Sequence, residues 1–170
     1  MNGRNVEIKA GVADGDRIRA VAEEIADSGP ELIEQDDTFF NCVKGRLKLR
    51  KLDESHGELI HYSRPDACDP TACDYAIFRT SEPEMLCEML GEALGVRGEV
   101  RKRRTLYMCG QTRIHLDEVE GLGEFVELEV VLTDEQSIAD GTAIAASLME
   151  KLGISEEDLL DVAYVDMIER

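Results

Sequence analysis

Four short segments of this chain alternate charged or polar residues with apolar ones, and this alternation constrains the fold more than any other feature of the sequence. The segments are residues 5–9, 46–50, 102–106 (less regularly) and 125–130. Successive side chains of a β-strand point to opposite faces of the sheet, so each segment would have one charged face and one apolar face. The alternation therefore predicts a sheet with an apolar face for a core and a charged face that gathers acids and bases.

Size and charge limit the class of protein. The 170 residues carry a formal net charge of −18, so the surface repels the phosphate backbone of nucleic acids at long range. The sequence has no apolar run near the roughly 20 residues of a membrane-spanning helix, and its N-terminus lacks the layout of a signal peptide. We expect a single domain over residues 1–170 in the cytoplasm, with no nucleic-acid or membrane partner. An exposed strand or helix would allow a homodimer.

The five cysteines form no recognisable framework. Their number is odd, and their spacing matches no common zinc or redox pattern. Cys68 and Cys73 share a loop rich in Asp and Pro, but no second Cys/His pair lies nearby in the sequence. We therefore expect free thiols in a reducing compartment.

The extended segments and the turns between them predict the fold class. About eight strands are joined mostly by short turns, which requires antiparallel pairing. Helices with one apolar stripe are predicted after Asp14 or Asp16 and after capping boxes that begin at Ser81 and Thr133. The tail from Ala163 is expected to dock on the domain. This pattern is typical of an α+β fold with a dominant antiparallel sheet, whose apolar face the helices cover.

The charged face of the sheet allows two interpretations. An open sheet would leave it in water, whereas eight strands closed into a barrel would turn it inward around space for one small ligand. Buried charges need counter-ions, and bases outnumber acids on this face. A closed barrel would thus suit a di- or triphosphate, with the acids as ligands of Mg²⁺ or Mn²⁺. The residues of this face are Glu7, Lys9, Lys48, Arg50, Arg64, Lys102, Arg104, Asp117, Glu127 and Glu129.

Two further side chains share this face without a clear role. His115 alternates with Asp117, and Tyr62 alternates with Arg64. A lone His on a charged face is more often a hydrogen-bonding neighbour than a catalytic group, and the Tyr fits a packed aromatic side chain equally well. We therefore assign neither residue to the predicted site.

Several motifs, in order along nearly the whole chain, resemble the CYTH domain. They are Glu-Ile-Lys at 7–9, Gln-Asp-Asp-Thr-Phe-Phe at 35–40, Arg-Leu-Lys-Leu-Arg at 46–50, Lys-Arg-Arg at 102–104 and the segment 115–129. This family unites class IV adenylyl cyclases with thiamine triphosphatases and is also called the triphosphate tunnel metalloenzymes. The resemblance implies an eight-stranded antiparallel closed β-barrel, or tunnel, with flanking helices. It also implies a triphosphate held by Lys and Arg, and one or two Mg²⁺ or Mn²⁺ ions held by acids.

The resemblance also assigns roles to individual residues. Glu7 and Lys9 match the end of the family's Glu-x-Glu-x-Lys signature and would be catalytic, while Asn5 stands in place of its first Glu. An amide supplies no charge, so a second metal site should be weakened. The implied substrate-binding residues are Lys9, Lys48, Arg50, Arg64, Lys102 and Arg104. The implied metal ligands are Glu7, Asp117, Glu127 and Glu129.

The expected function is that of a metal-dependent enzyme acting on an organic triphosphate. Length and motif layout are most similar to class IV adenylyl cyclases, which convert ATP to cyclic AMP and pyrophosphate. One alternative is a triphosphatase for thiamine triphosphate, a nucleoside triphosphate or inorganic tripolyphosphate. Another is a non-catalytic module that binds polyphosphate or nucleotide, and Asn5 is the residue that favours it.

Overall fold

The computed structural model of the protein describes residues 2–63 and 71–168. The described chain forms eight strands and four helices, with a 3₁₀ turn at Glu156–Asp158. The strands are β1 Asn2–Gly11, β2 Ser28–Phe40, β3 Arg46–Asp53, β4 His56–Ser63, β5 Thr71–Thr80, β6 Val96–Cys109, β7 Thr112–Val119 and β8 Gly123–Val131. The helices are α1 Gly15–Ile25, α2 Pro83–Leu94, α3 Ile138–Leu152 and α4 Tyr164–Ile168.

The sheet closes on itself. Its strand order is β1-β5-β4-β3-β2-β6-β7-β8, and every neighbouring pair is antiparallel. Closure comes from β1, which pairs with β5 along one edge and with β8 along the other. The prediction of an α+β, eight-stranded antiparallel closed barrel is confirmed, and the charged faces of the strands turn inward.

The apolar faces of the strands point outward and form the main core with α1 and α3. Val6, Ile8 and Leu128 are at most 1% exposed and pack in the same cluster as Ile18 of α1 and Leu152 of α3. Burying each such side chain contributes about 1.5–3 kcal/mol. The barrel thus keeps its core outside the sheet, which leaves the interior for polar groups.

A glycine sets the closest approach of α3 to β1. A Cβ atom at Gly141 would lie 2.7 Å from Cγ2 of Val6 and 2.6 Å from Cδ2 of Leu132. Any side chain at this position would therefore push the helix off the strand.

Both predicted capping boxes are wrong as helix starts. The first helix after β8 begins at Ile138 and is capped by Ser137, whose box partner is Asp140. Thr133 instead lies in a turn in which its backbone N donates to Gln136. The same Gln136 side chain exchanges hydrogen bonds with Gln111 in the β6–β7 turn, which ties the segment to the barrel before the helix starts.

Similarly, α2 begins at Pro83, but the side chain of Ser81 does not cap it. Its N-cap residue is Glu82, which makes no side-chain capping bond. The hydroxyl of Thr80 accepts from the backbone N of Glu82 at 3.1 Å. This hydrogen bond satisfies the backbone N–H of the N-cap residue, which is one of the two N–H groups bonded in a capping box. It therefore fixes the entry to the helix.

The C-terminal segment docks on the barrel, as predicted. Tyr164 and Val165 of α4 are buried in a second core cluster with Phe39, Val100 and Phe125. Within the described part of the chain, no helix is long and apolar enough to cross a membrane. The free cysteines found in that part are Cys42, Cys87 and Cys109.

Candidate functional site

The barrel encloses a cavity of about 640 Å³, which all eight strands and the segment before α4 line. Known small-molecule sites are typically about 300–1,000 Å³, so the cavity can hold a molecule of nucleotide size. Its lining is dominated by charge. Among the described residues, its bases are Lys9, Arg46, Lys48, Arg50, Arg79, Lys102, Arg104 and Arg113, and its carboxylates are Glu7, Asp37, Glu58, Glu127, Glu129 and Asp161.

The structure brings most of the predicted site residues to this cavity. Those that line it are Glu7, Lys9, Lys48, Arg50, Lys102, Arg104, Glu127 and Glu129. Asp117 lies beside the bases of β6 as the register partner of Arg104 and is 1% exposed. Arg64 lies outside the described residues. The roles assigned to all ten side chains stay predictions.

On one wall, Asp37 of β2 holds two bases of β3. Its carboxylate accepts from Lys48 Nζ at 2.7 Å and from Arg50 Nε and Nη2 at 2.7 and 2.8 Å. Burial alone would raise the pKa of Asp37, but the two cations outweigh it and lower the pKa far below its usual value. Both bases are thereby oriented into the cavity.

A second acid, Asp117 of β7, holds two bases of β6. Lys102 Nζ donates to it at 2.6 Å, and Arg104 donates through two nitrogens, each at 2.6 Å. The hydroxyl of Tyr164 donates at 3.0 Å. Burial and the neighbouring Arg104 lower the pKa of Lys102 to about 8, so this amine loses its proton more easily than an ordinary Lys. Asp117 therefore contacts bases in this structure, and its role as a metal ligand remains a prediction.

Glu127 joins this group to β1. Its carboxylate lies 2.5 Å from Arg104 Nη2 and 3.4 Å from Lys9 Nζ. Burial opposes ionisation of Glu127, but Lys102 and Arg104 hold its pKa well below the usual range. The Lys9 ammonium also sits 3.8 Å from the ring centre of Tyr164. Lys102 Nζ lies 4.8 Å from the same ring centre, so Tyr164 contacts bases of both β1 and β6.

The remaining acids lie where β1 meets β8. Glu7 and Glu129 are register partners across the two strands, and Asn5 Nδ2 donates to Glu129 at 2.5 Å. Arg113 also reaches Glu129, at 3.1 Å. The Oδ1 atom of Asn5 is buried and makes no hydrogen bond. A buried oxygen without a hydrogen-bond partner costs free energy unless a ligand binds to it.

This donor set fits a hard divalent cation. No three His, Cys, Asp or Glu side chains within residues 2–63 and 71–168 are grouped closely enough to hold a metal by themselves. Mg²⁺, however, is usually held by one or two carboxylates together with substrate phosphates. Glu7, Glu129 and the free amide oxygen of Asn5 supply oxygen ligands of that kind.

His115 also lines the cavity, as its alternation with Asp117 indicates. Burial and the nearby Arg104 lower its pKa well below the usual value, so the ring is neutral at pH 7. Its Nε2 atom is 4.0 Å from Glu129, and its Nδ1 atom is buried without a hydrogen-bond partner.

Sequence reasoning missed other groups of the site. Asp37 was visible, because it alternates with Gln35 and Phe39, yet its strand carried no charged stripe. Asp37, Glu58 and Asp161 bring the described carboxylates of the lining close to the number of bases. The lining therefore has more charged groups of both signs than the sequence suggested, and among the described residues its bases still outnumber its acids. Tyr164 gave no signal, because only tertiary packing carries it from the C-terminal helix to the lumen.

Proteins that share about a quarter of the sequence or less resemble this chain in sequence or in fold. Adenylate cyclase CyaB of Aeromonas hydrophila is 26% identical over 178 residues, which cover 97% of this chain and 88% of that protein. The structure of PH1012 from Pyrococcus horikoshii OT3 matches with a TM-score of 0.84 and 25% identity, over 95% of this chain and 98% of that one. HpAC1 from Hippeastrum, whose structure is described as revealing a dominant triphosphatase activity, matches with a TM-score of 0.66 and 15% identity, over 98% and 95%.

A family model covers nearly the whole chain. The CYTH domain model matches residues 3–164, which includes every strand that lines the cavity except the first residue of β1. With the closed barrel and its charged lumen, this match shows that the chain belongs to the CYTH domain family.

Proposed function

We propose that the barrel binds an organic triphosphate together with Mg²⁺ or Mn²⁺ and converts ATP to cyclic AMP and pyrophosphate. The observation that carries this proposal is the convergence of two pairs of bases, one from β3 and one from β6, on one cavity that also contains a group of carboxylates. The similarity to a protein named adenylate cyclase CyaB supports the choice of reaction.

The bases of the cavity suit a phosphate chain. Arg50 can still bind phosphate oxygens through Nη1 and Nη2, and Arg104 through Nη1, because its Nε and Nη2 donate to Asp117 and Glu127. Lys48 and Lys102 act as point charges. Because Asp37 and Asp117 already orient these four groups, binding requires little rearrangement of the bases. Charge that develops on a departing pyrophosphate would be stabilised by the same preorganised cations.

The acids at the β1–β8 junction suit the cation. Glu7, Glu127 and Glu129, with the amide oxygen of Asn5, would hold it next to the phosphates. When bound, the ion would supply Lewis-acid neutralisation of phosphate charge. Glu7 and Lys9 occupy consecutive inward positions of β1, so an acid and a base are neighbours on the cavity wall. We assign catalysis to this pair.

Hydrolysis of a triphosphate is the second candidate. The same cradle can hold a triphosphate in a different register, with water rather than a ribose hydroxyl as the attacking group. The triphosphatase activity described for HpAC1, which has a similar fold, favours this alternative. The two reactions share their binding groups and differ in which phosphorus is attacked.

Product analysis tests the proposal. The purified protein is incubated with Mg²⁺ or Mn²⁺ and, separately, with ATP, thiamine triphosphate and tripolyphosphate. Cyclic AMP with pyrophosphate supports the cyclase, and orthophosphate supports the triphosphatase. Tight binding without turnover would instead indicate a non-catalytic module, and the absence of any binding would overturn the triphosphate site.

A matched pair of variants tests the metal site. Glu129→Gln removes one charge at the β1–β8 junction, whereas Glu120→Gln removes one in an exposed turn. We expect the first variant to lose metal-dependent turnover and keep its fold by circular dichroism, and the second to resemble the parent. Unchanged turnover in Glu129→Gln would show that this residue is not a ligand.

A further inference from the structure

Beside Glu58 and Arg79, strands β4 and β5 present apolar and aromatic side chains to the lumen. The inward positions of β4 and β5 include Ile60, Tyr62, Tyr75 and Ile77, and all four line the cavity. Tyr62 and Tyr75 are register partners, and so are Ile60 and Ile77 in the adjacent row. Together they form a two-by-two patch, which we call the β4–β5 panel.

The panel stands out because of what faces it. In a ring of eight strands β4 lies opposite β7 and β5 lies opposite β6, and these two strands carry the lining bases Arg113, Lys102 and Arg104. A cavity that held only an inorganic phosphate chain would leave the tyrosine and isoleucine side chains in contact with water. Apolar surface stabilises a complex only when binding removes that surface from water. The panel therefore suits a ligand with an apolar, flat part.

The panel is held in place next to a phosphate-binding base. Tyr62 packs against the second core cluster, which includes Phe39. Lys48 Nζ lies 5.9 Å from the ring centre of Tyr62 and 5.5 Å from that of Phe39. Lys48 is also the register partner of Ile60. A ring lying on the panel would thus have its phosphates within reach of β3.

We propose that the β4–β5 panel binds the ring of an organic triphosphate, with Tyr62 and Tyr75 as the stacking surface, and so selects ringed triphosphates over inorganic tripolyphosphate. This inference rests on the triphosphate site proposed above and adds the part of the substrate that the bases do not contact. Stacking on aromatic side chains tolerates different rings, because every base presents a π-face. The panel consequently defines a class of substrate rather than one base.

Equilibrium binding measurements separate the contribution of the ring to affinity from that of the phosphates. ATP, thiamine triphosphate and tripolyphosphate are titrated calorimetrically in EDTA, so that metal-dependent turnover does not occur. Tyr75→Ala and Tyr62→Ala remove a stacking surface, and Tyr75→Phe keeps it. Phe78→Ala is the matched control, because Phe78 lies on the same strand, faces outward and is 64% exposed.

We expect Tyr75→Ala to weaken the tighter of the two ringed ligands about tenfold and to leave tripolyphosphate unchanged. Tyr75→Phe and Phe78→Ala should bind all three ligands like the parent. Tyr62 also packs in the core, so the melting temperature of Tyr62→Ala is measured to detect any loss of stability. The Tyr75 variants test the panel without this complication.

The outcomes distinguish the two proposals. If tripolyphosphate binds as tightly as both ringed ligands, or if Tyr75→Ala weakens all three ligands equally, the panel does not select the ring. The triphosphate site itself would then stand. If none of the three ligands binds, the triphosphate site and the panel both fail.

Discussion

Arg104 contacts Asp117 through two parallel hydrogen bonds, from Nε and Nη2, each 2.6 Å long. Both residues are at least 93% buried, and the acid also accepts from Lys102. Burial alone would lower the pKa of Arg104, but Asp117 and Glu127 raise it above its usual value. This pair is the centre of a buried network that holds the bases of β6 in the lumen.

Removing the acid of this network should destabilise the fold. Asp117→Asn removes the carboxylate that Lys102 donates to and leaves Arg104 with Glu127 alone, and breaking a buried ion pair costs about 3–5 kcal/mol. We expect a loss near the lower bound, measured as the free energy of unfolding in urea. Asp36→Asn is the control, because the side chain of that acid is 45% exposed and contacts Arg101 at 3.4 Å. Equal losses in both variants would contradict the role of Asp117.

Acid should unfold the protein through the same kind of pair. The folded-state pKa of Asp37 lies below the value of about 3.9 for an unfolded chain. Its stabilising contribution is therefore complete above about pH 4 and is lost as the pH falls towards the folded pKa. We expect the free energy of unfolding to fall less steeply between pH 5 and 2.5 in Asp37→Asn. Identical slopes for parent and variant would refute this.

Anion binding should weaken at alkaline pH. Lys102, with a pKa of about 8, loses its charge as the pH rises through that value, whereas a bound phosphate chain would keep it protonated. The affinity for tripolyphosphate in EDTA should thus fall by at most about tenfold per pH unit above pH 8. Lys102→Arg stays charged and should show a flatter profile by calorimetry. A profile equally steep in that variant would exclude Lys102 as its source.

A carboxylate at position 5 should change metal binding. Asn5→Glu places a second acid beside Glu129, where the amide now donates a hydrogen bond. In EDTA, repulsion should lower the melting temperature by several degrees, since about 1 kcal/mol corresponds to roughly 2–4 °C in a domain of this size. Mg²⁺ should reverse the loss, and Mn²⁺ should bind more tightly by calorimetry. Unchanged metal affinity would place position 5 outside the metal site.

The alternation of charged and apolar residues in the sequence predicted most of the fold. Residues such as Glu7, Lys48 and Glu127 have neighbours of the opposite polarity on both sides, so the period of two assigned their faces without any tertiary information. Helix starts were predicted less well. The box at Thr133 has the right residue types, yet the bonds between Gln136 and Gln111 hold that segment as a turn.

The sequence by itself determined that acids and bases would share one face of an antiparallel sheet. Only the tertiary structure decided which of them meet. Asp117 bonds to Lys102 and Arg104 because the register of β6 and β7 sets them side by side, and Tyr164 reaches the same acid from the far end of the chain. Strand period is a local property, whereas barrel closure and strand register depend on contacts between residues distant in sequence.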